Sequence, residues 1–375
     1  MMKAVRRLHR VMTSTDAAFR RRLSTLPSRV LGNTGIETSI IGLGGVGIGE
    51  VYGKVSEGEA VDCVIRALEL GINLIDTSPN YGNGRSEERI GLAVNSLAGK
   101  SSFTATTSTT IITKCGDNGP QNNGHSPFSK DGVHSSFKRS LKLLNPPSGT
   151  IDVLLLHDPS QEDLDEFFSP ETGGYVAFQE LRADKSIRAT GIGVREHDVL
   201  LRFMEHTTNL ADIIITVNDW NLIRRYAETE LFPAATRMNV GVLNGGPLYM
   251  GLLSGVDPEK SFRQGVKSLL EVPTLIKLAR RVKSWSDEQN LDLRALALHF
   301  AAGPGSMSPP IAGALLGARF ASEVEELIGS LLLGCEKELE KYTQAAKDFE
   351  ETFGAEIRQF NPESHFYYDK SKIDL

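Results

Sequence analysis

GINLIDTSPNYGNGRSEE, residues Gly71 to Glu88, decides how this chain reads. A short apolar run, Ile72 to Ile75, turns polar at Asp76, passes through a Pro/Asn/Gly-rich turn carrying Tyr81, and meets a helix start at Ser86. That is the pattern of a buried strand delivering a carboxylate and a phenol to one rim. A lone buried Asp is costly, and a phenol with a pKa of about 10 is a weak acid. The pair becomes chemically useful only beside an ionic partner, which directs the search to a buried Lys and a His.

Strand and helix alternate on both sides of this stretch. Upstream, Arg29 to Ser39 around Gly32-Asn33-Thr34-Gly35 predicts a hairpin, and Ile40 to Leu43 a short buried strand. Ser56 with Glu59 three residues on forms a capping box opening the helix Glu57 to Leu70. Gly42, Gly44 and Gly47 match GxGxxG literally, but a loop through Tyr52 follows where a dinucleotide fingerprint needs its helix. Those glycines are read instead as letting a cofactor or a barrel rim approach the backbone.

Downstream, a helix is expected from Ser86 to about Ser96, then a Ser/Thr-rich surface insertion, Ser101 to Thr109. Strands are expected at Thr110–Thr113, Ile151–Leu156, Ser186–Val194, Ile213–Val217, Val240–Leu243 and Ile311–Leu316. Helices are expected at Val133–Leu144, Tyr175–Ala183, Val199–Glu205, after Arg224, at Glu271–Gln289 and Leu291–Ala302, and from Ser322 onward. Eight strands alternating with helices favour a parallel sheet with right-handed crossovers, and near-continuous apolar strands are covered on both faces. The economical α/β solution is a closed (β/α)8 TIM barrel with an N-terminal hairpin and a C-terminal helical extension. Its chemistry belongs at the carboxyl ends of the strands.

The chain has 375 residues, 40% hydrophobic and 23% charged, enough to bury one large core. A net charge of −6 without a basic stripe in the body tells against nucleic acid as the main partner. Cys63, Cys115 and Cys335 are widely spaced, so neither a disulfide framework nor a metal site is expected. Residues 1–28 form a basic extension in which Lys3, Arg6, Arg7, Arg10, Arg20, Arg21 and Arg22 face a single acid, Asp16. Such a segment is either a transit peptide, which would place the protein in the mitochondrial matrix, or a solvated tail on a cytoplasmic protein. No apolar run reaches the ~20 residues of a membrane span. The barrel with its C-terminal helix and tail is expected over residues 29–375, as a monomer or weak dimer.

Asp76, Lys114 and His157 are each the first ionisable residue after an apolar strand, on three successive strands, and Tyr81 lies five residues beyond Asp76. In a barrel those ends are neighbours. Lys114 would hold its charge when desolvated only if paired, and Asp76 supplies the partner. The ammonium is expected to lower the Tyr81 pKa toward working pH, making the phenol a usable acid or base, while His157 contacts the substrate oxygen.

NLIDTSPNYG, IITKCG and LLLHDP resemble the three catalytic blocks of the aldo-keto reductases, from Leu31 to about Leu333. The resemblance implies a catalytic tetrad of Asp76, Tyr81, Lys114 and His157. It also implies a nicotinamide dinucleotide across the barrel mouth, with direct hydride transfer between the nicotinamide and a carbonyl or alcohol carbon. Cofactor contacts are placed at Gly45, Val46, Asp76, Gly193, Gly246, Leu248, Gly317, Arg319, Glu323 and Glu326. Sugar contacts are placed at Tyr52, Tyr81, His157 and Trp220.

Some positions depart from the general aldehyde reductases. Asp158-Pro159 stands for Trp-Pro, Gly193-Val194 for Ser-Asn, Val217 for Gln, and Gly245 for a stacking Tyr. LGNTGIETSIIGLGG, SPNYGNGRSEERIG and LHDP are similar instead to the sugar 1-dehydrogenases acting on L-galactose, L-fucose (D-threo-aldose) and D-arabinose. Many NADP-dependent relatives have Lys and Arg at positions aligning to Gly317 and Glu323. A carboxylate at Glu323 repels a 2′-phosphate, so NAD is the expected cofactor, with Arg319 leaving room for NADP. The expected reaction is oxidation of the anomeric C1 hydroxyl of an aldose to the aldonolactone. The alternatives are an NADPH-dependent aldehyde or ketone reductase, a pyridoxal-type dehydrogenase, and a non-catalytic cofactor-sensing subunit like those attached to potassium channels.

Overall fold

In the computed structural model, the described residues are 26–98, 109–206, 209–258, 273–302 and 311–359. Ser28–Val30 (β1) and Glu37–Ser39 (β2) pair antiparallel as the expected hairpin. The barrel strands are Ile41–Gly44 (β3), Leu74–Asp76 (β4), Thr110–Cys115 (β5), Ile151–His157 (β6), Ile187–Gly193 (β7), Ile213–Val217 (β8), Gly241–Gly245 (β9) and Ile311–Gly317 (β10). All eight pair in parallel with their sequence neighbours, and β10 closes on β3. A right-handed crossover needs a helix between successive parallel strands, and the intervening segments supply them.

Alternation along each strand sends one set of side chains inward and the other to the helices. Leu74, Ile112, Val153, Leu155, Ile213, Ile215, Leu243 and Leu315 form the interior cluster. Ile75, Ile111, Leu154 and Leu156, of the opposite parity, pack in the larger cluster against the helices. Leu31 and Ile36 from the hairpin join the interior cluster, so the hairpin plugs the end where the strands begin. The opposite end is left for chemistry. A residue two places after an inward one also points inward, which carries Asp76 after Leu74, Lys114 after Ile112 and His157 after Leu155 into that mouth.

Most helices fall where expected. Glu57–Glu69 opens on Ser56 with both halves of the capping box formed, and Arg85–Leu97, Lys130–Leu144, Gly174–Ala183, His197–His206, Leu293–Ala302 and Ala321–Leu332 follow. A further helix, Gln161–Phe167, was not anticipated, although Ser160 and Asp163 form a second capping box at its start. The single helix expected after Arg224 is a 3-10 turn, Tyr226–Glu228, followed by Leu231–Met238. The helices Pro273–Glu288 and Leu339–Gln359 share a separate apolar cluster with Leu222, Ile223, Tyr249 and Leu252 of the loops after β8 and β9. The expected insertion at 101–108, the start of the helix at Glu271 and the basic extension through residue 25 lie outside the described residues.

Candidate active site

The mouth is organised by one buried cation. Lys114 donates its ammonium hydrogens to Asp76 Oδ1 at 2.7 Å, the Thr77 carbonyl at 2.8 Å and the Tyr81 hydroxyl at 3.3 Å. That satisfies all three donors of a side chain only 3% exposed. The nitrogen also stands 4.8 Å from the centre of the Tyr81 ring. Tyr81 meets His157 edge to face, ring centres 5.8 Å apart. The four residues expected to act together are therefore neighbours in space.

The glycine-rich loop after β3 serves this assembly by close approach. A Cβ on Gly45 would lie 2.5 Å from Ser86 Oγ, and one on Gly49 would lie 2.6 Å from the Tyr81 backbone. Gly45 N–H donates to the Asp76 carbonyl at 2.7 Å, and Ser86 Oγ donates to the Gly45 carbonyl at 2.9 Å. The loop thus clamps both ends of the DTSPNY segment. Of the glycines matching GxGxxG, a Cβ on Gly42 would lie 2.8 Å from Leu315 and one on Gly47 2.7 Å from the Ala318 carbonyl, so both allow close approach within the barrel rim.

The electrostatics differ from expectation at Tyr81. Its pKa is raised well above 10, by burial first and then by Asp76, Asp158, Tyr52 and Asp117. The expected lowering by Lys114 does not occur because the ammonium is already committed to Asp76 and the phenol sits among acids in a desolvated pocket. Tyr81 therefore rests as the phenol. His157 moves upward too: burial works against its charged form, but Asp117 and Asp158 outweigh burial.

Asp117 is the neighbour that the sequence did not single out. Its carboxylate oxygens lie 2.8 and 2.9 Å from His157 Nδ1, and it belongs to the loop after β5. The only signal in the sequence was its place three residues beyond Lys114.

The proposed sugar contacts divide. Tyr52 is half-buried in the first rim loop, close enough to affect Tyr81 electrostatically. Trp220 is not at the rim surface: it is 4% exposed, stacked on Phe300 with ring centres 4.8 Å apart, and edge-on to Phe232. It is a core residue, because the loop after β8 folds back beneath the C-terminal helices and carries the indole inward with it.

Apart from Gly45, Val46 and Asp76, the proposed cofactor positions belong to β7, β10, the loops after β9 and β10 and the helix Ala321–Leu332. Gly193 ends β7 beside the Lys114 stem, Gly246 lies against Asn218, and Leu248 is packed between two apolar clusters. Val46 is half-buried, and Gly317 is exposed with open space where a side chain would be. Arg319 donates its backbone N–H to Glu323 at 2.7 Å, and its side chain lies 4.0 Å from the same carboxylate. Glu326 pairs with Arg294 at 2.9 Å. Asn218 Oδ1, Ser254 Oγ and Arg319 Nε, in the loops after β8, β9 and β10, are buried without hydrogen-bond partners. Ser254 Oγ and Arg319 Nε, beside a helix start at Ala321, can donate to phosphate oxygens, and Asn218 Oδ1 can accept from an N–H or O–H of a polar ligand along this side.

Residues 40–345 match the model of the aldo/keto reductase family. The chain belongs to the aldo/keto reductase family. This aldo/keto reductase is 28% identical over 316 residues to the L-galactose dehydrogenase of Arabidopsis thaliana, covering 82% of this chain and 89% of that protein. It is 26% identical over 242 residues to a D-threo-aldose 1-dehydrogenase of a Pseudomonas species, covering 61% and 71%. The barrel superposes on a glycerol dehydrogenase of Gluconobacter oxydans with a TM-score of 0.63 at 22% identity, covering 86% and 94%. As a member of the family it is an oxidoreductase that uses NAD(P). No helix among the described residues is long and apolar enough to cross a membrane.

Proposed function

We propose that this aldo/keto reductase oxidises the anomeric C1 hydroxyl of an aldose of the L-galactose, L-fucose or D-arabinose type to the aldonolactone, with NAD as its cofactor. The observation that carries the reading is the Asp76–Lys114–Tyr81 cluster facing His157 at the mouth, in a chain similar over most of its length to an L-galactose dehydrogenase. When bound, a nicotinamide dinucleotide supplies the hydride-accepting carbon. Gly193, Gly246, Leu248, Asn218 and Arg319 would hold it on the β7–β10 side.

The protein's own groups handle the proton. Lys114, 3.3 Å from the Tyr81 hydroxyl, stabilises the phenolate, and that phenolate takes the C1 hydroxyl proton. Because burial and nearby acids raise the Tyr81 pKa, the base form grows with pH over the whole working range, and oxidation speeds up in mildly alkaline buffer. Glu323, held against Arg319, puts a carboxylate where a 2′-phosphate would otherwise meet a free cation, which supports NAD over NADP.

A matrix of NAD⁺ and NADP⁺ against aldoses, read by absorbance of the reduced cofactor, tests this. Turnover of an L-galactose, L-fucose or D-arabinose type sugar with NAD⁺ is expected, and absence of turnover on all of them sinks the assignment. One observation favours a second reading, an NADPH-dependent reductase of aldehydes or ketones: a resting phenol at Tyr81 is already a proton donor, which suits the carbonyl-to-alcohol direction. Much tighter binding of NADPH than NADH would select it. Cofactor binding without turnover in either direction would select the cofactor-sensing subunit.

A further inference from the structure

We propose that Asp117 is a positioning residue for His157, taking the ring's Nδ1–H on its carboxylate so that Nε2–H is the group offered to the substrate oxygen. This rests on the reading above, in which His157 meets that oxygen.

The geometry is that of a built pair. An ionised carboxylate only accepts hydrogen bonds, so at 2.8 and 2.9 Å Nδ1 must carry the proton. Asp117 is itself held from several sides. Ser78 Oγ donates to one carboxylate oxygen at 3.1 Å, and Asn80 Nδ2 donates to the other at 3.1 Å. Gln121 Nε2 and Asn122 Nδ2 donate to its backbone carbonyl at 3.1 and 2.6 Å. Two of these four anchors come from SPNY, the segment that also places Tyr81. A carboxylate needed only to tie down its own loop would be satisfied by Ser78 and Asn80, yet both oxygens are also aimed at Nδ1.

The charged groups around the ring make the proton stay. From the loop after β5 comes Asp117, and from β5 itself Lys114, whose charge is bound to Asp76 of β4. Tyr81 and Ser78 face the ring from the loop after β4, and Asp158 follows His157 with Oδ2 4.0 Å from Nε2. Gly193, the β7 residue paired with His157, brings no side chain. With two acids against one neutralised cation, the ring keeps its proton above the ordinary range, in keeping with the upward direction of its pKa. A charged Nε2–H beside the substrate oxygen stabilises negative charge there in either direction of the reaction. It thereby makes a hydroxyl easier to deprotonate, which eases the demand on a reluctant Tyr81.

The test is the histidine titration followed by NMR in cofactor-free protein, with His157 identified by the resonance missing in His157→Gln. In Asp117→Asn the His157 midpoint is expected to fall by about one to two pH units, the scale set by losing an opposite charge at contact distance. In whichever assay shows turnover, the kcat/KM of the variant relative to wild type should fall about tenfold for each unit by which the midpoint drops below the assay pH, the ratio closing as pH is lowered, with dinucleotide Kd unchanged. Should that variant not fold, Asn80→Ala loosens the Asp117 carboxylate and is expected to shift the midpoint the same way by less. An unchanged His157 midpoint in the folded variant overturns the proposal. The titration needs neither sugar nor cofactor, so a failed aldose screen leaves it standing, and an unmoved titration leaves the aldose reading standing.

Discussion

The two sides of the barrel mouth are built on opposite terms. On the β4–β6 side the buried ionic groups satisfy one another: Lys114 uses its three donors on Asp76, Thr77 and Tyr81, and Asp117 holds His157. On the β8–β10 side Asn218 Oδ1, Ser254 Oγ and Arg319 Nε are buried and unpartnered. Burying a polar atom unpaired costs about 1–3 kcal/mol, which a ligand bound at the mouth would recover in part. Asn122 Oδ1 and Glu87 Oε2 near β5 are also unpartnered, so the contrast lies in the ionic cluster around Lys114. The contrast separates a reaction centre preorganised by the fold from a surface shaped for a ligand.

The harshest way to break the preorganised side is Tyr81→Phe, which deletes the proton carrier and one acceptor of Lys114. Turnover should fall by about 10²–10⁴-fold while dinucleotide binding, measured by fluorescence titration, is spared. A fully active variant would refute the role of Tyr81. Next is Asp76→Asn, which leaves Lys114 buried beside a neutral amide. A loss of about 3–5 kcal/mol is expected in urea unfolding, and a change below about 1 kcal/mol would mean that the pair carries little of the local order.

The ligand side is sharpened by adding what it lacks. NAD⁺ at about a hundredfold excess over its Kd should stabilise the fold by roughly 2.7 kcal/mol, seen as a rise in Tm, and no rise would remove the dinucleotide from this surface. The smallest effect concerns pH. Because the folded pKa of His157 is raised above 6.5, its contribution to stability is fully present below about pH 6.5 and is lost as pH climbs through the folded value. The stability difference between wild type and His157→Gln should therefore shrink on going alkaline. The change should amount to about 1.4 kcal/mol for each pH unit separating folded and unfolded values.

Much of this was legible along the chain. LID, TIITKC and LLLH announce barrel strands because burial on both faces demands apolar runs, and the first ionisable residue after each run has to lie at the rim. Ser56 and Glu59 announce their helix because a capping box is complete within four residues. The short helix Gln161–Phe167 went unread although Ser160 and Asp163 carry the same signal, since Asp in the third helical position is a weaker version of it. Trp220 illustrates the converse: an aromatic after a strand is a rim contact or a plug depending on how its loop turns, and Phe300, on which it stacks, lies far along the chain.

By itself the sequence determined the strands, their order, and which acid, cation, phenol and imidazole would share one end of the barrel, because strand period and apolar runs are local properties. Only the tertiary structure decided what those groups do to one another. It sent the Tyr81 pKa up rather than down, gave His157 a carboxylate from the loop after β5, and moved Trp220 from the mouth into the core. Proton affinities and pairings depend on burial and on distances of a few ångströms between residues tens of positions apart, and those exist only once the barrel has closed.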